Sequence, residues 1–154
     1  MLTSRDVEKV LSLLRRVYSS IVIDMSSHLN DINLSFLDAA DSIIEIVTYD
    51  STTIHNTVAV ADTFRSIGYP ASKVRYLVNR ADSPGGIDPH DLERALGRVP
   101  EHRVMSDGRL VVQSNNEGVP FVLASPDAGI SQDVTRVAKE LLNIGRTAAV
   151  AGRS

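Results

Sequence analysis

The chain has 154 residues, 43% of them hydrophobic, and a formal net charge of −3, which is typical of one globular domain. So mild a charge gives no electrostatic reason to expect nucleic-acid binding, and no apolar run approaches the roughly 20 residues of a membrane helix. The absence of cysteine excludes disulfides and thiolate metal sites and is compatible with the cytoplasm, where we expect the protein to reside.

The first 49 residues alternate between helical and strand patterns. Apolar residues at helical spacing predict a helix over residues 3–18. The β-branched run at residues 21–23 predicts a short strand covered on both faces, as the strands of parallel sheets are. Residues 34–40 predict one or two helical turns, and residues 42–49 predict a second buried strand.

The middle of the chain predicts a helix, a strand and a second helix. Residues 51–67 carry an apolar stripe at helical spacing, and residues 73–79 predict a strand. After the turn sequence DSPGG, the pair Asp88-Pro89 supplies a capping carboxylate and a proline for the first turn of a helix. That helix is expected to stop at Gly97.

The last third predicts a short strand at residues 102–105 and a helix at residues 131–143, with Gly145 behind that helix. Residues 109–113, between them, fit two structures. Their β-branched content favours a strand by a small margin. A helix over residues 107–116 fits the same stretch.

Strands that alternate with helices predict an α/β fold, in which a mostly parallel sheet carries helices on both faces. Ligands bind such open sheets at the carboxyl ends of the strands. Polar groups follow three of the predicted strands there, namely Asp24, Asp50 and the pair Asn79-Arg80. A carboxylate at such an end can hold Mg²⁺ through water, and an asparagine amide suits the edge of a purine.

Simpler explanations apply to the same side chains. Strand-end aspartates commonly cap helices or form turns, and the four histidines have no metal-ligand spacing and are expected at the surface. The sequence contains no G-x-x-x-x-G-K-[ST] phosphate-binding motif. None of Lys9, Lys73 and Lys139 follows a glycine-rich turn between a strand and a helix.

Four segments together resemble a known family. IVIDM, DAADSIIEIVTYD, GYPASKVRYLVNR and SDGRLVVQSNNEGVP follow the order and spacing of MinD/ParA-type ATPases after their Walker B strand, and look closest to the CpaE/TadZ pilus-assembly branch. The resemblance covers roughly residues 17–142. It implies a partial P-loop NTPase fold of the SIMIBI type without the Walker A strand, with residues 1–154 as one domain, the C-terminal part of the ATPase domain.

The resemblance also implies roles for single residues. Asp24 matches the Walker B carboxylate near Mg²⁺, Asn79 matches the asparagine that reads adenine, and Arg80 is its usual neighbour. Asp107 and Pro120 match the late loop and helix that pack near the base, which favours a helix after Asp107.

Two departures from the family pattern bear on activity. Residues 25–28, MSSH, replace the D-x-P-x-G loop that senses the γ-phosphate, and the Walker A lysines belong to an N-terminal half that this sequence does not contain. The resemblance therefore implies ATP and Mg²⁺ as cofactors of the parent protein, and this chain alone is expected neither to bind them nor to hydrolyse ATP. Because the family's P-loop strand lies beside the strand before Asp24, its loss predicts an exposed edge and a homodimer.

Three functions stay open at this point. The first is the C-terminal portion of a positioning ATPase that works with protein partners of a pilus, secretion or partition machinery. The second is a non-catalytic interaction module that has lost nucleotide chemistry. The third is a receiver-like signalling domain with Asp24 as the phosphate acceptor, which the absence of an early acidic partner for Asp24 makes weaker.

Overall fold

The structure is a computed structural model that describes residues 3–84 and 86–151, with side chains up to residue 143. Contacts within the chain divide it into two compact units, Met1–Ile43 and Ile44–Ser154. Among the helices in the described part of the chain, none is long and apolar enough to cross a membrane.

The first unit contains two capped helices that contact each other. Helix α1, Ser4–Val17, begins at a capping box in which Asp6 Oδ2 accepts a hydrogen bond from Thr3 N (2.9 Å) and Thr3 Oγ1 accepts one from Asp6 N (3.4 Å). Helix α2, Asp31–Ala39, begins at Asn30, whose side chain caps its first turn. The helix predicted at the start of the chain and the helical turns predicted before residue 40 are confirmed.

The predicted strand at residues 21–23 is wrong. This stretch has no regular secondary structure, and the side chain of Val22 is 95% exposed. A β-branched apolar run becomes a strand only when another strand takes up its backbone N–H and C=O groups. The described residues supply no such strand to this segment.

The second unit is built on a three-stranded sheet with the strand order β1-β2-β3. Strands β2 and β3 run parallel, with Leu77 opposite His102 and Asn79 opposite Val104. The elements are, in chain order, β1 Ile43–Val47, α3 Ser51–Ser66, β2 Val74–Asn79, α4 Pro89–Leu96, β3 His102–Val104, α5 Gly108–Glu117, α6 Phe121–Ala124 and α7 Gly129–Ala151. The predicted strands at 42–49, 73–79 and 102–105 are therefore confirmed.

Helices cover both faces of this sheet. His102 lies on one face, where its Nδ1 is 3.2 Å from Glu140 Oε2 on α7. The next residue of the strand, Arg103, lies on the opposite face because side chains alternate along a strand, and its Nη2 is 3.2 Å from Glu93 Oε1 on α4. The fold class expected from the sequence, a parallel sheet with helices on both faces, is confirmed.

Capping groups at both ends determine that residues 109–113 form a helix and not a strand. This segment forms helix α5, because Asp107 Oδ1 accepts a hydrogen bond from Leu110 N (2.9 Å) at one end and Gly118 adopts a left-handed φ of 66° at the other. The strand favoured by β-branched content is wrong, and the helix favoured by the family resemblance is correct. Two end signals outweigh a small difference in propensity here.

Two further expectations need correction. Helix α7 continues past Gly145 to Ala151, since one glycine inside a helix costs only about 1 kcal/mol and does not end it. The histidines were expected at the surface, but His102 is buried under α7 with 5% of its surface exposed. The Glu140 carboxylate provides a polar partner for Nδ1 of the buried ring, which offsets part of the cost of burial.

A polar cluster closes the amino end of the sheet. Glu101 Oε2 accepts a hydrogen bond from Tyr76 N (2.8 Å), and its other oxygen pairs with the guanidinium of Arg98. Arg98 also donates to Ala71 O (2.9 Å) and lies 5.6 Å from the centre of the Tyr76 ring. Glu101 therefore supplies the acceptor for a backbone N–H of the central strand.

We expect Glu101→Ala to lower the free energy of unfolding by about 1–3 kcal/mol, because it leaves Tyr76 N without its acceptor. Glu101→Gln keeps an acceptor oxygen and should cost less. As a matched control, Asp62→Ala removes an exposed carboxylate paired with Arg65 and should change stability little. Urea unfolding of the three variants measures this; equal effects of Glu101→Ala and Asp62→Ala would contradict it.

Candidate functional site at the carboxyl edge of the sheet

Polar residues follow each strand of the second unit, and we call the residues 48–50, 79–82 and 105–107 the carboxyl edge. Parallel strands bring the ends of β2 and β3 to the same side of the sheet. The loop after β2 also returns to the end of β1, where Ile87 N donates to Tyr49 O (2.9 Å). The approach is close enough that a Cβ on Gly86 would lie 2.7 Å from Tyr49 O, so glycine fits there.

Asn79 and Arg80 form the part of the edge that follows β2. Asn79 is half-buried and its Oδ1 accepts a hydrogen bond from Arg80 N (3.0 Å). Arg80 has a φ of 54°, a left-handed conformation that costs a non-glycine residue on the order of 1 kcal/mol, and its side chain is exposed. The backbone turn therefore holds a carboxamide and a guanidinium side by side at the strand end.

Carboxylates hold the segment after β3 from two sides. Asp133 Oδ2, on α7, accepts a hydrogen bond from Met105 N (3.0 Å), and Asp82 Oδ1, in the loop after β2, accepts one from Ser106 N (2.6 Å). The next residue, Asp107, caps α5. This segment is thus fixed to both the neighbouring loop and the closing helix.

The structure places the predicted site residues in three ways. Asn79, Arg80 and Asp107 lie together on the carboxyl edge, since Asn79 is opposite Val104 and Asp107 follows three residues later. Pro120 is exposed at the start of α6, beyond α5, which is roughly 15 Å long. Asp24 belongs to the first unit and is exposed in the irregular segment.

The described residues contain no group of three or more His, Asp and Glu side chains that could hold a metal ion. A magnesium ion at Asp24 would therefore need ligands other than a cluster of three such side chains, and Mg²⁺ commonly takes water and phosphate oxygens in that role. Asn79 has the chemistry to contact the edge of a purine. Its oxygen accepts the hydrogen bond from Arg80 N, and its amide nitrogen can still donate one.

Sequence reasoning missed Asp82 and Asp133. In the sequence, Asp82 stands in the turn stretch DSPGG and Asp133 in the predicted helix at residues 131–143, and neither position marks a site. Their hydrogen-bond partners lie 24 and 28 residues away along the chain, so no local sequence pattern predicts these contacts.

Asp50 is a cap with a strongly perturbed pKa. Its carboxylate accepts hydrogen bonds from the Thr48 hydroxyl, from Thr53 Oγ1 (2.7 Å) and from Thr53 N (2.7 Å) at the start of α3. These bonds, with that from Thr48 the largest effect, lower the pKa of Asp50 to about 2. Both oxygens of this strand-end carboxylate are thus already engaged within the protein.

Comparison with known proteins identifies the fold. No protein-family profile and no curated protein sequence matches the chain. Among solved structures, it is similar to a ParA family ATPase from Chlorobium tepidum TLS, with a TM-score of 0.83 and 18% identity over 91% of this chain and 57% of that one. It is also similar to MinD from Pyrococcus horikoshii OT3, solved with Mg-ADP, with a TM-score of 0.72 and 19% identity over 90% of this chain and 56% of that one.

A third similar structure is MinD in the MinC:MinD complex of Aquifex aeolicus, with a TM-score of 0.68 and 18% identity over 98% of this chain and 58% of that one. The protein therefore has the fold of the MinD/ParA-type P-loop ATPases. It spans a little more than half the length of these structures.

The low pKa of Asp50 predicts a pH-dependent contribution to stability. An unfolded aspartate has a pKa near 3.9, so the folded state holds this carboxylate deprotonated more strongly. The stabilisation should be fully present above about pH 4 and be lost as the pH falls toward 2. Asp50→Asn, which keeps a capping oxygen but does not titrate in this range, should remove that part of the pH dependence.

The measurement is the difference in urea midpoint between the wild type and Asp50→Asn from pH 5 to pH 2, together with an NMR titration of the Asp50 carboxyl group. Thr48→Val should raise the pKa of Asp50 toward its ordinary value, because it removes the hydrogen bond that lowers this pKa most. An unchanged Asp50 pKa in Thr48→Val would show that this bond is not the cause.

Proposed function

We propose that the chain is the C-terminal portion of a MinD/ParA-type ATPase, of the CpaE/TadZ kind, which positions or assembles a pilus, secretion or partition machinery. The observation that carries the proposal is the combination of the ParA/MinD fold with Asn79, Arg80 and Asp107 on one edge of the sheet. Ligands bind at that edge in open α/β sheets. The motif order quoted above supports the CpaE/TadZ assignment.

Each site residue has a role in this proposal. Asn79 reads the adenine edge, and Arg80 and Asp107 flank it, while Pro120, beyond α5, has only the role that the family resemblance implies near the base. Asp24 holds Mg²⁺ through water once the metal is bound to the β- and γ-phosphates. ATP and Mg²⁺ are thus cofactors of the whole protein, and Mg²⁺ would supply charge neutralisation at the phosphates.

The chain alone lacks what phosphoryl transfer requires most. Backbone N–H groups and lysine charge around the phosphates stabilise the transition state, and the sequence has no P-loop to provide them. Without bound phosphates, a single exposed Asp24 cannot retain Mg²⁺. We therefore propose that the 154-residue chain by itself does not hydrolyse ATP.

The whole protein is proposed to be a cytoplasmic homodimer with a protein partner in its machinery. Strand β1 is an edge strand of the described sheet, and Ile46 on it is 61% exposed, so a further polypeptide segment has an apolar surface to cover. The similar Aquifex aeolicus MinD was solved in complex with MinC, which is a precedent for a protein partner.

One observation favours a second candidate, a non-catalytic interaction module. The residues after Asp24 are Met-Ser-Ser-His rather than the D-x-P-x-G loop of the family, so the γ-phosphate sensor is altered. In that case the α/β scaffold is retained while nucleotide no longer controls it.

The test compares the 154-residue chain with the full reading frame that encodes it. Residues encoded upstream of Met1 should include a K-G-G-x-G-K-T-type turn. The full-length protein should hydrolyse ATP, and Asp24→Asn should abolish hydrolysis. Asn79→Ala should weaken ATP binding about tenfold in calorimetry, because it removes one base contact. The short chain should show no hydrolysis.

Three outcomes would decide against this function. An upstream sequence without a phosphate-binding turn would favour the interaction module. A full-length protein that has the turn but binds no Mg·ATP would do the same. ATP hydrolysis by the short chain that disappears in Asp24→Asn would show that these 154 residues contain a complete phosphate site.

A further inference from the structure

The hydrogen bond from Ser106 N to Asp82 Oδ1 joins the two loops that carry the base-site residues. We call this bond the latch. At 2.6 Å it is a short bond from a backbone N–H to a carboxylate, and such charge-assisted bonds are stronger than neutral ones. Asp82 is two residues after Arg80, and Ser106 is one residue before Asp107.

The neighbouring hydrogen bonds show that the latch helps to set the distance between the loops after β2 and β3. The parallel ladder extends one bond beyond the strands, since Ala81 N donates to Val104 O (3.0 Å). After this bond, the next hydrogen bond between the segments that follow β2 and β3 is the latch. On the other side, Asp133 holds Met105 N (3.0 Å) and fixes the same segment to α7.

The turn at Arg80 depends on the same loop. Arg80 has a φ of 54°, and a strained conformation persists only when neighbouring contacts impose it. Ser83 N donates to Arg80 O (3.0 Å), which closes the turn that presents Asp82 to Ser106. The carboxylate of Asp82 therefore acts on the positions of Arg80 and Asp107 together.

Asp82 is exposed, so the latch contributes little to global stability. Its effect is local. A loop that moves by 1 Å is enough to disrupt a binding geometry even when the fold persists.

We infer that Asp82 is a positioning residue for the nucleotide base, which sets the spacing between the Asn79-Arg80 turn and Asp107 without contacting the phosphates. This inference rests on the proposed function. Under this inference Asp82 controls the affinity for the base and leaves the affinity for the phosphates unchanged. The carboxylates of Asp82, Asp107 and Asp133 on this edge disfavour a phosphate there and favour the uncharged base.

The experiment uses the full-length protein and measures the affinity for Mg·ATP and for inorganic tripolyphosphate with Mg²⁺, which has no base. Asp82→Ala should weaken ATP binding about tenfold, because the Asn79-Arg80 turn and Asp107 lose the spacing that the base requires, and should change tripolyphosphate binding less than about twofold. Asp82→Asn keeps an acceptor oxygen for Ser106 N and should restore most of the ATP affinity. Asp62→Ala, which removes an exposed carboxylate from α3, is the matched control and should change neither.

Hydrogen exchange of the Ser106 amide in the 154-residue chain provides an independent reading of the latch. It should accelerate in Asp82→Ala and stay slow in Asp62→Ala. A wild-type protein that binds no Mg·ATP overturns the proposed function and this inference with it. A wild type that binds ATP, with Asp82→Ala either unchanged or weakened equally for both ligands, overturns this inference alone.

Discussion

The parallel pairing of β2 with β3 is the constraint on which the second unit depends. The register that sets Leu77 opposite His102 and Asn79 opposite Val104 decides which side chains face α7 and which face α4. It directs His102 toward Glu140 and Arg103 toward Glu93, and so places a helix on each face. The parallel direction of the strands brings their two ends, and the loops that follow them, to one edge. A slip of β3 by one residue would turn His102 and Arg103 to the opposite faces.

Aspartates at the strand ends are used mainly to build that edge. Asp50 and Asp107 cap α3 and α5, while Asp82 and Asp133 hold the segment after β3. In the second unit these carboxylates are therefore engaged with groups of the protein itself. These carboxylates leave negative charge along the edge, which disfavours a phosphate there. The phosphates require the lysine and backbone N–H groups of a P-loop, which this sequence lacks.

Much of the second unit could be predicted from the sequence because its signals are local. The helix starts at Asp50 and Asp88, the stop at Gly97 and the strand ending at Asn79 follow from caps, turns and apolar runs. The errors arose where a non-local contact decides. Residues 21–23 have strand composition but no strand beside them, and His102 is buried because α7 brings Glu140 to it. The position of Asn79-Arg80 could be predicted from the end of its strand and that of Asp107 from the family resemblance, whereas Asp82 and Asp133 depend on contacts across 24 and 28 residues.

The central claim is that a purine base contacts the edge formed by Asn79, Arg80 and Asp107. Photolabelling of the full-length protein with 8-azido-ATP, followed by peptide mapping, tests it directly, because the reactive group sits on the base itself. The account predicts labelled peptides that contain residues 79–82 or 105–120, and loss of labelling with excess ATP. Labelling confined to other segments, with this edge unmodified, would contradict it.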